Sequence, residues 1–127
     1  MASVVLDASA LLAYVNGEPG ADVVAPLIGD ALISAVNLAE VVTKLVARTG
    51  SLDVARATLG IATPDVIDFD RRLAERAGGF VVGTSIKGLS LGDRACLALA
   101  QREQLPALTA DRAWAGLTLG VEVRLIR

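Results

Sequence analysis

Short apolar runs alternate with longer amphipathic stretches along this chain, and the alternation predicts most of its elements. Residues 3–7 close on Asp7 after Val4, Val5 and Leu6, a run long enough for a buried strand and too short for a helix. Residues 8–15 read as a short helix. A second helix is predicted over 21–28, after the Gly17-Glu18-Pro19-Gly20 turn. Residues 31–34 predict another strand. Over 35–48, Leu38, Val41, Val42, Leu45 and Val46 recur at helical spacing, and Gly50 ends the pattern. Residues 52–59 predict a further helix and Val66-Ile67-Asp68 a third strand. Asp70 is placed to cap a helix over 71–82. Residues 83–90 read as a loop and 91–104 as a helix. Strands are predicted over 106–109 and 121–126, with a short helical turn near 111–115 between them.

Strands that alternate with helices indicate a three-layer α/β/α sandwich with a mostly parallel sheet. The strand runs are apolar at consecutive positions, as in strands covered on both faces. A chain of 127 residues has room for one ordinary core. With no repeat, low-complexity tract or linker, residues 1–127 are expected to form a single domain.

Composition adds three constraints. Apolar residues make up 54% of the chain without counting glycine, against about 45–50% with glycine included in a typical soluble domain. The longest apolar runs stop well short of the roughly 18 residues a spanning helix needs. The surplus therefore predicts a buried sheet plus apolar surface for a protein partner, and no membrane role. The formal charge is −2, so nucleic acid cannot be held by a global basic field. Ten of the twelve cations are Arg, whose planar fork suits local phosphate contacts. The single cysteine, Cys96, lies in an apolar helical run and cannot form an internal disulfide. The segment Met1–Asp7 has no basic stretch and carries an acid, unlike a secretory signal. A cytoplasmic protein is expected.

Four carboxylates then stand out. Asp7 ends the first strand and Asp111 follows the 106–109 strand. Glu40 and Asp93 lie in the opening turns of helices. In a parallel α/β fold, the carboxyl ends of strands and the amino ends of helices share the edge where ligands bind. Each acid also has a local use. Asp7 and Asp111 can cap the helical segments that follow them. Asp93 fits a capping box with Ser90. Glu40 stands four residues before Lys44, the favourable order for a surface ion pair. Gathered at one edge, the four repel one another and call for a hard cation with oxygen ligands, Mg²⁺ or Mn²⁺. Such a site suits hydrolysis of a phosphodiester. Asp22, Asp53, Asp65 and Glu103 read as solvated charge, whereas Asp68 and Asp70 also follow a strand. The chain has no histidine, which excludes Ser-His-Asp hydrolysis and histidine general acid–base schemes. No glycine-rich phosphate loop precedes a lysine.

With these residues in place, the chain resembles the PIN-domain ribonucleases, in particular VapC-type toxins of toxin–antitoxin pairs. The resemblance runs through Val5–Ala13 with Asp7, Ser34–Val41 with Glu40, Leu91–Ala100 with Asp93, and Thr109–Trp114 with Asp111. It implies a five-stranded parallel sheet and Mg²⁺- or Mn²⁺-dependent endoribonuclease activity, with Asp7, Glu40, Asp93 and Asp111 as catalytic metal ligands. It also implies RNA as substrate, homodimerisation, and inhibition by a small VapB-like antitoxin inserted near the acidic pocket. Ser9 and Thr109 resemble hydroxyls beside that pocket. Asn37 lies one helical turn before Glu40, and Arg94 and Arg112 adjoin two of the acids. Two other readings compete. One is a non-catalytic PIN-like module that binds RNA or a partner. The other is a phospho-acceptor receiver domain, which expects an acidic pair after the first strand, where this chain has Asp7-Ala8.

Overall fold

The computed structural model describes residues 1–60, 64–81 and 88–127. Five strands, β1 (Val4–Leu6), β2 (Ala31–Ser34), β3 (Asp65–Ile67), β4 (Ala107–Thr109) and β5 (Val123–Leu125), form one sheet in the order β3-β2-β1-β4-β5. Every pairing is parallel. The helices are α1 (Ala8–Asn16), α2 (Ala21–Val24), α3 (Ala35–Thr49), α4 (Leu52–Leu59), α5 (Arg71–Gly79) and α6 (Leu91–Glu103).

The sheet separates two cores because successive strand residues face opposite sides. Val4, Leu6, Ile33 and Leu108 pack with Leu11, Val24, Val41, Leu45 and Ala55, which places α1 to α4 on one face. Val5, Leu32 and Ala107 pack with Leu73, Ala77, Trp114 and the apolar side of α6, which places α5 and α6 on the other. The three central strands are buried at every residue, as their apolar runs require. The edge strands β3 and β5 are not. Val66 and Leu125 are exposed, because an edge strand lacks cover along one side.

Two expectations change in detail. The helix over 21–28 breaks after Val24 into a 3₁₀ segment, Ala25–Asp30, with Pro26 in its first turn. Proline offers no amide to an α-helical ladder and restricts the residue before it, so the α pattern stops there. The helix over 71–82 ends at Gly79, where Gly78 and Gly79 weaken the last turn. Residue 82 lies outside the described residues, as do 83–87 of the expected loop. Within the rest of that loop Gly88 turns with φ +91°. Among the described residues no helix is long and apolar enough to cross a membrane.

The connection order sets the site. The chain leaves β1 for β2 and β3 on one side, then returns to β4 on the other. Between β1 and β4 the connections diverge, which opens a crevice at the carboxyl ends of the strands. Asp7 follows β1 directly and Asp111 comes two residues after β4.

Candidate active site

Asp7, Glu40, Asp93 and Asp111 line one cavity of about 140 Å³, together with Ala8, Ser9, Asn37 and Lys44. That volume holds several waters. The chain thus brings together four acids separated by up to 104 residues, and among the described residues Lys44 is the one cation lining the cavity.

Asp7 is buried at the floor of the crevice. Its Oδ1 accepts from the amide of Ala10 at 2.8 Å, which caps α1, and from the Ser9 hydroxyl at 2.7 Å. Its Oδ2 accepts from the Thr109 hydroxyl at 2.5 Å. The capping role read from the sequence is therefore real, yet it uses only part of the carboxylate's four acceptor sites. Burial raises the Asp7 pKa above its ordinary 3.8; the three hydrogen bonds pull it down, and the charge of Asp93 adds to the rise. A carboxyl in that position either keeps its proton or gains a cation.

Ser9 and Thr109 form a bridge from β1 to β4. The amide of Ala110 donates to Ser9 Oγ at 2.9 Å, and the Asp111 amide donates to Thr109 Oγ1 at 3.0 Å. Two hydroxyls thereby orient Asp7 and the turn leading to Asp111. Asp111 itself is exposed and caps the 3₁₀ segment Arg112–Gly116 through the Ala113 amide, at 2.9 Å.

Glu40 does not form the predicted surface ion pair with Lys44. Its Oε1 accepts instead from Asn37 Nδ2 at 3.1 Å, and the same amide group donates to the Gly92 carbonyl at 2.9 Å. Asn37 is buried, and its Oδ1 has no partner among the described residues. Glu40 lies so close to the first turn of α6 that a Cβ at Gly92 would stand 1.8 Å from Oε1. A side chain at this position would displace the Glu40 carboxylate. Asp93, the next residue, completes the predicted capping box. It accepts from the Ser90 amide at 2.9 Å, and its own amide donates to Ser90 Oγ at 3.1 Å.

Cys96 lies one turn behind Asp93, fully buried. Burial pushes its thiol pKa well up, and the charges of Asp7, Asp93 and Glu40 push it the same way. The fields of three acids thus converge on a point beneath the cavity. The thiol occupies the buried helix position that the sequence pattern predicts.

The donors present are hard oxygens, which suits Mg²⁺ or Mn²⁺ and not a soft metal. The four carboxylates surround a space without closing into a cage. Among the described residues no three His, Cys, Asp or Glu side chains stand as a ready set of metal ligands. Asp93 and Asp111 each spend an oxygen on a helix cap and Glu40 one on Asn37, which suits an ion that keeps several of its own waters.

Arg94 and Arg112 do not line the cavity. Asp70 caps α5 through the Leu73 amide, Asp68 is exposed, and neither reaches the pocket. Asp53 and Glu103 pair with Arg56 and Arg102 at the surface. Two pocket features escape the sequence reading, Gly92 as a close-approach position and Lys44 as a cavity wall. A glycine inside a helix costs about 1 kcal/mol relative to alanine, so Gly92 did carry a signal of unusual packing.

A parallel five-stranded sandwich with acids gathered at its switch point defines the architectural class. The family model of the PIN domain matches residues 4–118, and the chain belongs to that family. Solved structures share the fold. The DNA-bound VapBC complex of Salmonella typhimurium superposes with a TM-score of 0.79 at 16% identity, covering 100% of both chains. A toxin–antitoxin complex from Klebsiella pneumoniae gives 0.73 at 23% identity, over 98% of each chain. The sarcin–ricin loop cleaving toxin VapC20 of Mycobacterium tuberculosis gives 0.70 at 23%, over 91% of this chain and 97% of that one. No curated protein sequence matches the chain significantly.

Proposed function

We propose that this PIN domain, spanning residues 1–127, is a Mg²⁺- or Mn²⁺-dependent endoribonuclease and the toxin of a toxin–antitoxin pair. The observation that carries the reading is the convergence of Asp7, Glu40, Asp93 and Asp111 on one cavity at the switch point. Asp7, buried and raised in pKa, is the primary ligand, and the other three complete the set directly or through water. A divalent ion bound there supplies an activated water and neutralises charge on the phosphate oxygens. The protein's part is to hold the acids rigid. Ser9 and Thr109 fix Asp7, Asn37 fixes Glu40, and the capping box fixes Asp93. The chain has no histidine to serve as general base.

The toxin reading draws support from the resemblance to VapBC complexes, in which a partner accompanies the PIN chain. An apolar groove of about 350 Å³ beside α3 and α4, lined by Leu38, Val42, Leu52, Leu59, Pro64 and Val66, suits the apolar face of a small antitoxin segment. The exposed apolar residues on edge strands and helices are also compatible with a homodimer.

The test is cleavage of RNA by purified protein with Mn²⁺ and with EDTA. Metal-dependent cleavage that Asp7→Asn abolishes supports the proposal; full metal-dependent activity in that variant would sink it. Binding of RNA without turnover at millimolar Mn²⁺ would favour the non-catalytic module instead.

A further inference from the structure

A second cavity, of about 280 Å³, opens beside the acidic one and is lined by Ser9, Leu12, Asn16, Glu18, Lys44, Leu45, Arg48 and Arg127. Ser9 and Lys44 line both cavities, so the two are contiguous. Their charges are opposite. The first gathers four carboxylates, whereas the second gathers Lys44, Arg48 and Arg127 around the single carboxylate of Glu18. That carboxylate is already occupied. Glu18 Oε2 accepts from Asn16 Nδ2 at 3.2 Å, and Oε1 pairs with Arg127 at 3.4 Å. Arg127 also donates to the Pro19 carbonyl at 2.9 Å. Lys44 and Arg48 form no ion pair among the described residues. Arg48 therefore faces the concavity with no ion-pair partner among the described residues, and Lys44 stands between it and the four acids.

Their spacing is directional. Glu40, Lys44 and Arg48 follow one another at four-residue intervals on α3, so they lie along one stripe of the helix. Each interval advances about 6 Å along the axis, comparable with the step between successive phosphates of an extended strand. Arg48 in the last turn of α3 is well placed against the helix dipole, but that role gives no reason for a cation stripe leading out of an acidic pocket.

We propose that this cavity is a subsite for the backbone phosphate of the RNA nucleotide adjoining the scissile bond, with Arg48 as its principal ligand and Lys44 between the two sites. The inference rests on the nuclease reading for the word "scissile" but not for the binding of RNA itself. The basic cavity supplies the register that a small acidic pocket lacks. It holds one phosphate while the neighbouring one is set against the acids.

The experiment compares wild type with Arg48→Gln, whose exposed side chain leaves the fold intact, and with Lys44→Gln/Arg48→Gln. Anisotropy titrations use a fluorescent oligouridylate in EDTA at stepped salt, and cleavage of the same oligomer with Mn²⁺ gives KM and kcat. Arg48→Gln should weaken binding roughly tenfold and flatten the log-affinity against log-salt slope by about 0.7, the value for one lost single-strand phosphate contact. KM should rise with little change in kcat. An oligomer carrying one uncharged methylphosphonate at the contacted linkage should bind wild type more weakly, and Arg48→Gln with no further loss. Unchanged affinity and slope in the variant overturns the subsite. So does an equal methylphosphonate penalty in both proteins, or wild type that binds no oligouridylate at low salt. Equal weakening of a polyglutamate peptide also overturns it, since the cavity would then receive a protein acid. RNA binding that depends on Arg48 without any cleavage by wild type retains the subsite and removes the nuclease reading. Cleavage with an unaltered KM in the variant does the reverse.

Discussion

Asp7 accepts from two hydroxyls and one amide, and burial still raises its pKa. Where the folded value of a carboxyl lies above the unfolded one, the native state binds the extra proton between the two. Stability then falls as pH rises from about the ordinary value through the folded one. Asp7 therefore destabilises the metal-free fold once it ionises. Asn at this position keeps a good helix cap and removes the charge. In EDTA above that window, Asp7→Asn should melt higher than wild type, read by circular dichroism. Its RNA cleavage should drop by at least about a hundredfold, the upper end of what even outer partners of a metal contribute. Lower stability together with retained cleavage would show a purely structural cap. Gly92 makes a second residue-scale case. A methyl group there would meet Glu40 Oε1 at 1.8 Å, so Glu40 must swing out of the cavity. Gly92→Ala should lower cleavage at limiting Mn²⁺ by about tenfold or more. The helix itself gains about 1 kcal/mol from alanine, so melting should stay near wild type. The Asp7 cap was legible in the sequence, but the contact between Gly92 and Glu40 was not. Spacing shows which residues share a helix face, but not that α3 and α6 meet at one glycine.

At the scale of elements, the strands that were read best are the central ones. Val4–Leu6, Ala31–Ser34 and Ala107–Thr109 are apolar at every position because both faces are covered, and that leaves an unmistakable run. The edge strands β3 and β5 are shorter than, or shifted from, their predicted spans, since one exposed side blurs the pattern. Helix starts were equally readable. Asp70 and Ser90 cap as the sequence predicts, and Ser34 and Ser51, which were not singled out there, cap α3 and α4 in the same way. Helix interruptions were not all readable, as Pro26 shows. The capping box of α6 separates stability from chemistry. Ser90→Ala removes the bond from the Asp93 amide to Ser90 Oγ but leaves the Ser90 amide to hold Asp93 Oδ2. The cost should be about 1 kcal/mol, or about 3–5 °C in Tm for a domain of this size, by thermal melt. Cleavage by the folded protein should stay near wild type. A large loss of activity at a temperature where the variant is folded would mean that the cap also sets Asp93's aim.

For the whole molecule, the same sheet that divides the two cores brings four distant acids to one crevice. The order β3-β2-β1-β4-β5 puts the exits of β1 and β4 side by side, so the sequence positions of Asp7 and Asp111 became a spatial statement once the strands were parallel. Asp7 and Asp111 line the same cavity for that reason. It could not supply the charge contrast between the two cavities, which depends on α1, α3 and Arg127 meeting in space. On the proposed reading, a divalent ion held among the four acids stabilises the fold that gathers them. A ligand that binds only the native state stabilises it by RT ln(1 + [L]/Kd), about 2.7 kcal/mol at a hundredfold excess over Kd. Mn²⁺ should therefore raise the Tm of wild type. The rise should grow as pH increases through the folded pKa of Asp7, because protonated Asp7 competes with the ion and ionised Asp7 welcomes it. Asp7→Asn should show a smaller rise with little pH dependence. Scanning calorimetry across pH, with and without Mn²⁺, measures all of these in one series. An equal, pH-independent Mn²⁺ effect in both proteins would place the ion elsewhere on the surface and detach it from the crevice.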